Sequence, residues 1–151
     1  MYSYAGTMNE APDFDERKLW HLIDVKEFKK AIVFLEDGSI TTEHKTAAVN
    51  FKDGSNRTTL MRATYHHAEV KLIKRLCEIG GKEFIMATDG DGYNALQRNA
   101  LHVACLHAQP NLEVIKIVIA GGGFKLLLQQ DKDGNTPLHL ACEASYGGCD
   151  T

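Results

Sequence analysis

The sequence lacks the elements that would place the protein in or across a membrane. No apolar run approaches the roughly 20 residues that span a bilayer, and residues 1–10 lack the basic and then apolar pattern of a secretory signal peptide. The 17 Lys and Arg residues against 20 Asp and Glu residues give a formal net charge of −3. This charge provides no general attraction to nucleic acid or to an anionic membrane. We therefore expect a cytoplasmic protein, with the nucleus as the alternative location, that binds neither.

Cysteine is also scarce, with four residues at positions 77, 105, 142 and 149. Cys105 and Cys142 occupy the same position of a repeated segment described below, which is typical of small buried residues. We therefore expect reduced thiols rather than a disulfide framework.

Sequence motifs of catalysis are absent as well. The chain has no nucleophile elbow, no His-Glu-x-x-His segment and no paired carboxylates placed for acid–base chemistry. The glycine-rich segments 80–82 and 121–125 lack the spacing of a phosphate-binding loop and its Ser or Thr after the Lys, so they predict helix ends. We expect no catalytic activity and no cofactor.

The most informative stretch is Asp-Lys-Asp-Gly-Asn-Thr-Pro-Leu-His-Leu-Ala-Cys at 131–142. Gly134 can adopt the positive φ of a tight turn. Thr136 is a good N-cap, because its hydroxyl can accept a free N–H of the first helical turn. Pro137 suits the first helical position, where its missing N–H is not needed. The stretch therefore predicts a tight turn that leads into a helix.

This pattern recurs upstream. Residues 99–105 match residues 136–142 at a spacing of 37, and residues 80–92 parallel residues 122–134 at a spacing of 42. A weaker copy runs over 53–63. The chain is therefore expected to be built from repeated helical units.

The second copy allows two registers, because residues 93–97 and 98–102 are near-duplicates. Either Leu96 or Leu101 could hold the motif leucine. We choose Leu101, since residues 103–105 then align with 140–142. The five extra residues are expected to enlarge the hairpin loop or to add a turn at the helix start.

The Thr-Pro-Leu-His-x-Ala string at 136–141 resembles the ankyrin repeat. The resemblance implies an all-α fold, an ankyrin-repeat solenoid of stacked antiparallel helix pairs with hairpin loops. It also implies that the loops and the first helices line a concave surface that binds other proteins. The spacings here exceed the usual period of about 33 residues, and we expect the excess to lie in loops.

We divide the chain accordingly. Residues 1–13 are predicted to be a flexible N-terminal lead-in, and residues 14–151 an ankyrin-repeat domain. Within that domain we assign 14–38 to a degenerate capping helix pair, 52–88 to a repeat, 89–130 to a repeat with a loop insertion, and 131–151 to an incomplete repeat. Residues 39–57 are expected to be a polar link with a short extended piece at 47–51.

Histidine and cysteine recur three residues apart, as His102 with Cys105 and His139 with Cys142. On a helix each pair shares one side, so the four side chains are the ligand set of an alternative, zinc-binding reading. The repeat motif already explains both positions through backbone hydrogen bonds and core packing. We therefore predict no metal ion.

Partner-binding residues are expected where the motif imposes no packing role, in the loops and at the groove-facing ends of the first helices. Tyr65 and Tyr93 lead, because Tyr is enriched at interface hot spots. The full predicted set is Lys52, Ser55, Tyr65, His66, Gly90, Asp91, Tyr93, Leu106, His107, Lys132, Asp133, Asn135 and Glu143.

The function that follows is a protein–protein interaction module without catalysis of its own. The alternative is a targeting or regulatory ankyrin segment of a larger enzyme or channel whose catalytic part is missing. Residues 112–120 form a helix that is apolar nearly all round, and only one further helix follows to cover it. We therefore also expect either self-association through the C-terminal end or a longer array that continues the stack.

Overall fold

The computed structural model describes residues 14–90, 97–107 and 109–146. The predicted lead-in at 1–13, the predicted binding residues Asp91 and Tyr93, and Cys149 lie outside the described residues.

The described part of the chain is helical, with one isolated antiparallel bridge between Lys52 and Thr58. In chain order the helices are α1 (Arg17–Asp24), α2 (Phe28–Glu36), α3 (Thr42–Asn50), α4 (Thr59–Tyr65), α5 (Val70–Met86), α6 (Ala100–Cys105), α7 (Leu112–Gly122), α8 (Phe124–Leu128) and α9 (Pro137–Tyr146). Across these described ranges, no helix is both long enough and apolar enough to cross a membrane.

The helices form two parallel rows. Helices α1, α4, α6 and α9 pack side by side in one row, and α2, α5 and α7 pack in the other. Ala63 and Ala104 are buried at the same position of α4 and α6, and their small side chains let the neighbouring helices approach closely. The all-α prediction of stacked helix pairs is therefore confirmed.

One apolar core runs along the whole stack between the two rows. Its largest fully buried side chains include Leu19 and Ile23 from α1, Leu72 and Leu76 from α5, and Leu101 from α6. Such a continuous core is what repeat architectures require, because a single helix pair cannot bury its own apolar face.

Capping residues mark the starts of α4 and α6, which are the first helices of two repeats. The Thr58 hydroxyl accepts the Met61 N–H at 3.2 Å, and the Asn99 side chain accepts the His102 N–H at 2.9 Å. The His102 ring returns the interaction, because its Nδ1 accepts the Asn99 N–H at 3.2 Å. Helix α6 therefore starts at Ala100, in the register that places the motif leucine at Leu101.

The five extra residues of the second copy fall between Asp89 and Arg98 in the chain, before its first helix. In the preceding loop, the Asp53 carboxylate accepts the N–H of Arg57, four residues on. In the longer loop, the Asp89 carboxylate accepts the N–H of Arg98, nine residues on. Since both helices start two residues after the arginine, the insertion adds no turn to the start of α6.

The prediction that loops hold all of the excess length was wrong, because a short helical segment follows each second helix. The predicted polar link at 39–57 contains α3, which the Thr41 hydroxyl caps at 3.2 Å from the His44 N–H. The corresponding segments are residues 82–86 at the end of α5 and the separate helix α8.

Glycine makes the bend that precedes two of these segments. Gly81 has φ 74° and ψ −173°, and Gly123 has φ 81° and ψ −176°, a region that residues with a Cβ avoid. Gly121 in α7 has a different role, since a Cβ there would collide with the Ile85 side chain. The missing side chain lets the 82–86 segment pack directly on α7.

Candidate functional site

A cavity of about 190 Å³ opens between α4 and α6, beneath the hairpin loops. We call it the groove cavity. Its lining combines apolar and charged side chains, namely Arg57, Met61, Arg62, Tyr65, Asp89, Arg98, Val103 and Leu106. These residues come from two neighbouring first helices and from the bases of two neighbouring loops, so the cavity exists only because the repeats stack.

The apolar part of the groove cavity follows from helical spacing. Met61 and Tyr65 are four residues apart on α4, and Val103 and Leu106 are three apart at the end of α6, so each pair shares a helix face. Met61 and Val103 are buried, whereas Tyr65 is 55% exposed and Leu106 38% exposed. The cavity therefore has a buried apolar floor and an exposed apolar edge.

Two of its arginines are held by carboxylates that lie within the loops. Asp53 accepts the backbone N–H groups of Ser55 and Arg57, each at 2.9 Å, and also binds the Arg57 guanidinium at 2.7 Å. Burial alone would raise the pKa of Asp53, but the hydrogen bonds from Arg57 and from these backbone groups lower it on balance. Asp53 therefore stays ionised and holds both the loop backbone and the Arg57 guanidinium in place.

Asp131 repeats this arrangement in a later loop. Its Oδ1 accepts the N–H groups of Asp133 and Asn135 at 2.9 Å, and its Oδ2 lies 3.4 Å from Nε of Arg98. Burial acts to raise the pKa of Asp131, and the two backbone donors together with Arg98 lower it. Arg98 therefore ties one repeat to the loop of the next.

The third arginine, Arg62, joins α4 to α1. Its Nε donates to Asp24 Oδ1 at 2.7 Å, and its Nη2 binds the same oxygen. The hydrogen bond from Arg62 lowers the pKa of Asp24. The Arg62 guanidinium also lies 5.6 Å from the centre of the Tyr65 ring, a cation–π contact that orients this exposed tyrosine.

Histidines pack against the far side of Tyr65. The His66 ring lies 5.3 Å from the Tyr65 ring and the His107 ring 6.1 Å, while the rings of His67 and His107 are 4.0 Å apart. Burial lowers the pKa of both His66 and His107, and the neighbouring His67 lowers that of His107 further. The rings of His66 and His107 are therefore neutral near pH 7 and serve as packing surfaces behind Tyr65.

His102, one of the candidate zinc ligands, has both ring nitrogens engaged by the backbone. Nδ1 accepts the Asn99 N–H, and Nε2 lies 2.9 Å from the carbonyl oxygen of Asn135 in the next loop. Burial lowers the pKa of His102, which is fully buried, so the neutral ring is favoured. In the parts of the chain that the structure covers, no three His, Cys, Asp or Glu side chains are grouped to hold a metal ion.

The cysteines differ from one another in exposure. Cys105 is buried, but Cys142 is exposed, so the expectation that both are buried was wrong for Cys142. The reason is its neighbours, because α6 has α4, α7 and α9 around it, whereas α9 closely contacts only α6 and α8 among the described helices. Equivalent sequence positions thus meet different surroundings.

The predicted binding residues fall into several groups in the structure. Tyr65 and Leu106 line the groove cavity, and His66 and His107 pack behind Tyr65. In the loops, the Gly90 N–H donates to the Ser55 carbonyl at 2.7 Å. Among the others, Asn135 binds Asp131 and His102 through its backbone, while exposed side chains are found at Lys52, Lys132, Asp133 and Glu143.

Sequence reasoning missed the arginines and Asp89 of the groove cavity. A signal for two of them was present, because Arg57 and Arg98 each directly precede the N-cap residue of a first helix. Repetition at that position indicates a shared place in the fold.

The comparison with protein families places the strongest motif in a known repeat. Residues 133–150 match the ankyrin repeat family model. This match confirms the resemblance that the motif at 136–141 carries. No curated protein matches the chain in a sequence search.

Proposed function

We propose that this chain with ankyrin-type repeats is a protein–protein interaction module that binds a partner through the groove cavity and the hairpin loops above it. The proposal assigns the chain no catalysis of its own. The match to the ankyrin repeat supports it in general terms, since this architecture presents an extended concave surface suited to binding.

The observation that carries the proposal is the exposed pair Tyr65 and Leu106 at the edge of a preformed apolar cavity. Tyr65 contacts the Arg62 guanidinium over its ring and the rings of His66 and His107. An exposed aromatic side chain that is already oriented loses little conformational entropy on binding. Tyrosines in such settings are frequent hot spots.

The hairpin loops, including the loop that precedes α9, provide the outer part of the proposed surface. They contribute the predicted contacts Lys52, Ser55, Gly90, Lys132, Asp133 and Asn135, and α9 contributes Glu143. Hydrogen bonds between neighbouring loops, such as Gly90 to Ser55, hold part of this surface in one arrangement.

Affinity capture with quantitative mass spectrometry tests the proposal. The test variant changes Tyr65→Ser and Leu106→Ser. The matched control changes Val33→Ser and Leu112→Ser, two apolar residues that are each 66% exposed and lie on second helices. We expect a partner that binds the wild type and the control but not the groove variant.

Circular dichroism and thermal melts of the three proteins establish that each is folded. If every captured protein binds the groove variant as well as it binds the wild type, the groove cavity is not the binding site.

A further inference from the structure

We infer that the groove cavity binds a partner segment in which an aspartate or glutamate lies next to a large apolar residue. This inference rests on the proposed function and specifies the chemistry of the partner.

Arg98 supplies the central observation. Its side chain is 19% exposed, and Nε is engaged with Asp131, whose side chain is 1% exposed. Within the described residues, the two terminal nitrogens of Arg98 have no hydrogen-bond partner, and the residue lines the cavity. When Nε of a guanidinium binds one carboxylate, its Nη1 and Nη2 atoms are suited to bidentate binding of a second carboxylate.

Arg57 also lines the cavity and is also paired with a loop carboxylate, but more of its guanidinium is engaged. Its Nε and Nη2 bind Asp53, and its side chain is 43% exposed against 16% for that of Asp53. In both pairs the carboxylate lies within its loop and accepts two backbone N–H groups, whereas the cation extends toward the cavity. Because the two carboxylates are engaged within their loops, the groups that these pairs present to the cavity are guanidinium N–H donors.

The remaining charged groups limit which anion fits. Asp89 also lines the cavity and uses Oδ1 to accept the Arg98 N–H. Arg62 is committed to Asp24. The net charge of the chain is −3. A polyanion such as nucleic acid is therefore disfavoured, while a single carboxylate can bind at the terminal nitrogens of Arg98, beside Arg57.

The apolar floor completes the site. A cavity of roughly 150 Å³ accommodates a benzene molecule, so a volume of about 190 Å³ has room for one Leu, Phe or Tyr side chain. Met61 and Val103 form the floor, and Tyr65 and Leu106 the edge. A segment that inserts an apolar side chain here places its neighbouring residue beside Arg57 and Arg98.

A phage library of random 12-residue peptides, selected on the full chain, tests the inference. Enriched peptides are expected to share a large apolar residue with Asp or Glu within a few positions. Their synthetic forms should bind about 10-fold to 100-fold more weakly when Asp or Glu is changed to Asn or Gln, the range for hydrogen bonds to charged groups.

Two variants assign the effect to the arginines. In the Arg57→Gln, Arg98→Gln double variant, the acidic peptide and its amide form should bind with equal affinity. The matched control is Arg75→Gln, because Arg75 is 40% exposed, is also paired with a carboxylate and lies on α5. This control should retain the full preference for the acidic peptide.

The outcomes separate the two claims. Peptides that need Tyr65 and Leu106 but show no acidic preference would overturn this inference and leave the proposed function standing. An acidic preference that persists in the double variant would also overturn it. If no selected peptide loses affinity when Tyr65 and Leu106 are changed to Ser, both claims fail.

Discussion

The bend at Gly123 allows a direct test of how the repeats are built. Gly123 joins α7 to α8 with φ 81° and ψ −176°. A Cβ at this position would meet no atom within 4 Å, so steric contact with the rest of the protein is not the obstacle. The Gly123→Ala substitution therefore measures the cost of this backbone conformation without a steric clash.

The expected loss comes from backbone strain alone. Holding a residue with a Cβ in this region is expected to lower the free energy of unfolding by about 1–3 kcal/mol. For a domain of this size, each kcal/mol corresponds to roughly 2–4 °C in melting temperature, so the Tm should fall by about 2–12 °C. Gly81→Ala should give a similar loss, because Gly81 has nearly the same backbone angles and equally open surroundings.

Urea unfolding followed by circular dichroism measures the effect. The matched control is Gly38→Ala, since Gly38 also has open space around its Cα but does not have a positive φ. At position 38, alanine should leave the free energy of unfolding unchanged or raise it by about 0.4–1 kcal/mol, because alanine reduces the conformational entropy of the unfolded chain. If Gly123→Ala is as stable as the Gly38→Ala control, the glycine bend is not what enforces the junction.

Three further predictions concern protonation, thiol chemistry and association. Burial lowers the pKa of His102 below its value in the unfolded chain. Below about pH 6.5 the unfolded state therefore binds more protons, and the free energy of unfolding falls. Urea unfolding at pH 7.5 and 5.5 should show this loss, and the difference between the two pH values should be smaller in His102→Gln. Ellman's reagent should modify the exposed Cys142 rapidly in the native protein and leave Cys77 unreacted, because burial raises the pKa of the Cys77 thiol to about 12; equal rates would contradict the packing of α5. If the chain self-associates through its C-terminal end, Leu138→Lys should reduce the mass measured by light scattering, because Leu138 is 70% exposed on α9; an unchanged oligomer would exclude that surface.

Much of the local structure could be predicted from sequence because short-range chemistry decides it. Thr58, Asn99 and Thr136 mark the starts of three first helices, since an N-cap side chain acts on backbone groups two or three residues away. The role of His102 in bonding backbone was likewise predicted from the motif. The Tyr65 and Leu106 positions followed from the helix faces that the motif leaves without a packing role.

The short helical segments were missed because their amphipathic signal is weak and their stability comes from packing. Helix α3 is mostly polar in sequence, yet Ala48 and Val49 are fully buried, and the Thr59 hydroxyl donates to the Val49 carbonyl at 2.7 Å. These contacts come from α1, α5 and the start of α4. No local sequence pattern predicts such contacts, because the residues that make them are distant in sequence.

The sequence by itself determined the repeat register, the helix starts and the glycine bends, because each depends on residues within about one helical turn. Only the tertiary structure decided the site. The sequence shows Arg57 and Arg98 at equivalent positions before two helices, but only stacking places them on one cavity with Tyr65 and Leu106. Stacking also forms the Arg98–Asp131 ion pair, in which Asp131 is enclosed by its own loop and by Arg98 of the preceding repeat. The part of the Arg98 guanidinium that remains for binding is decided by its contact with Asp131, a residue 33 positions further along the chain.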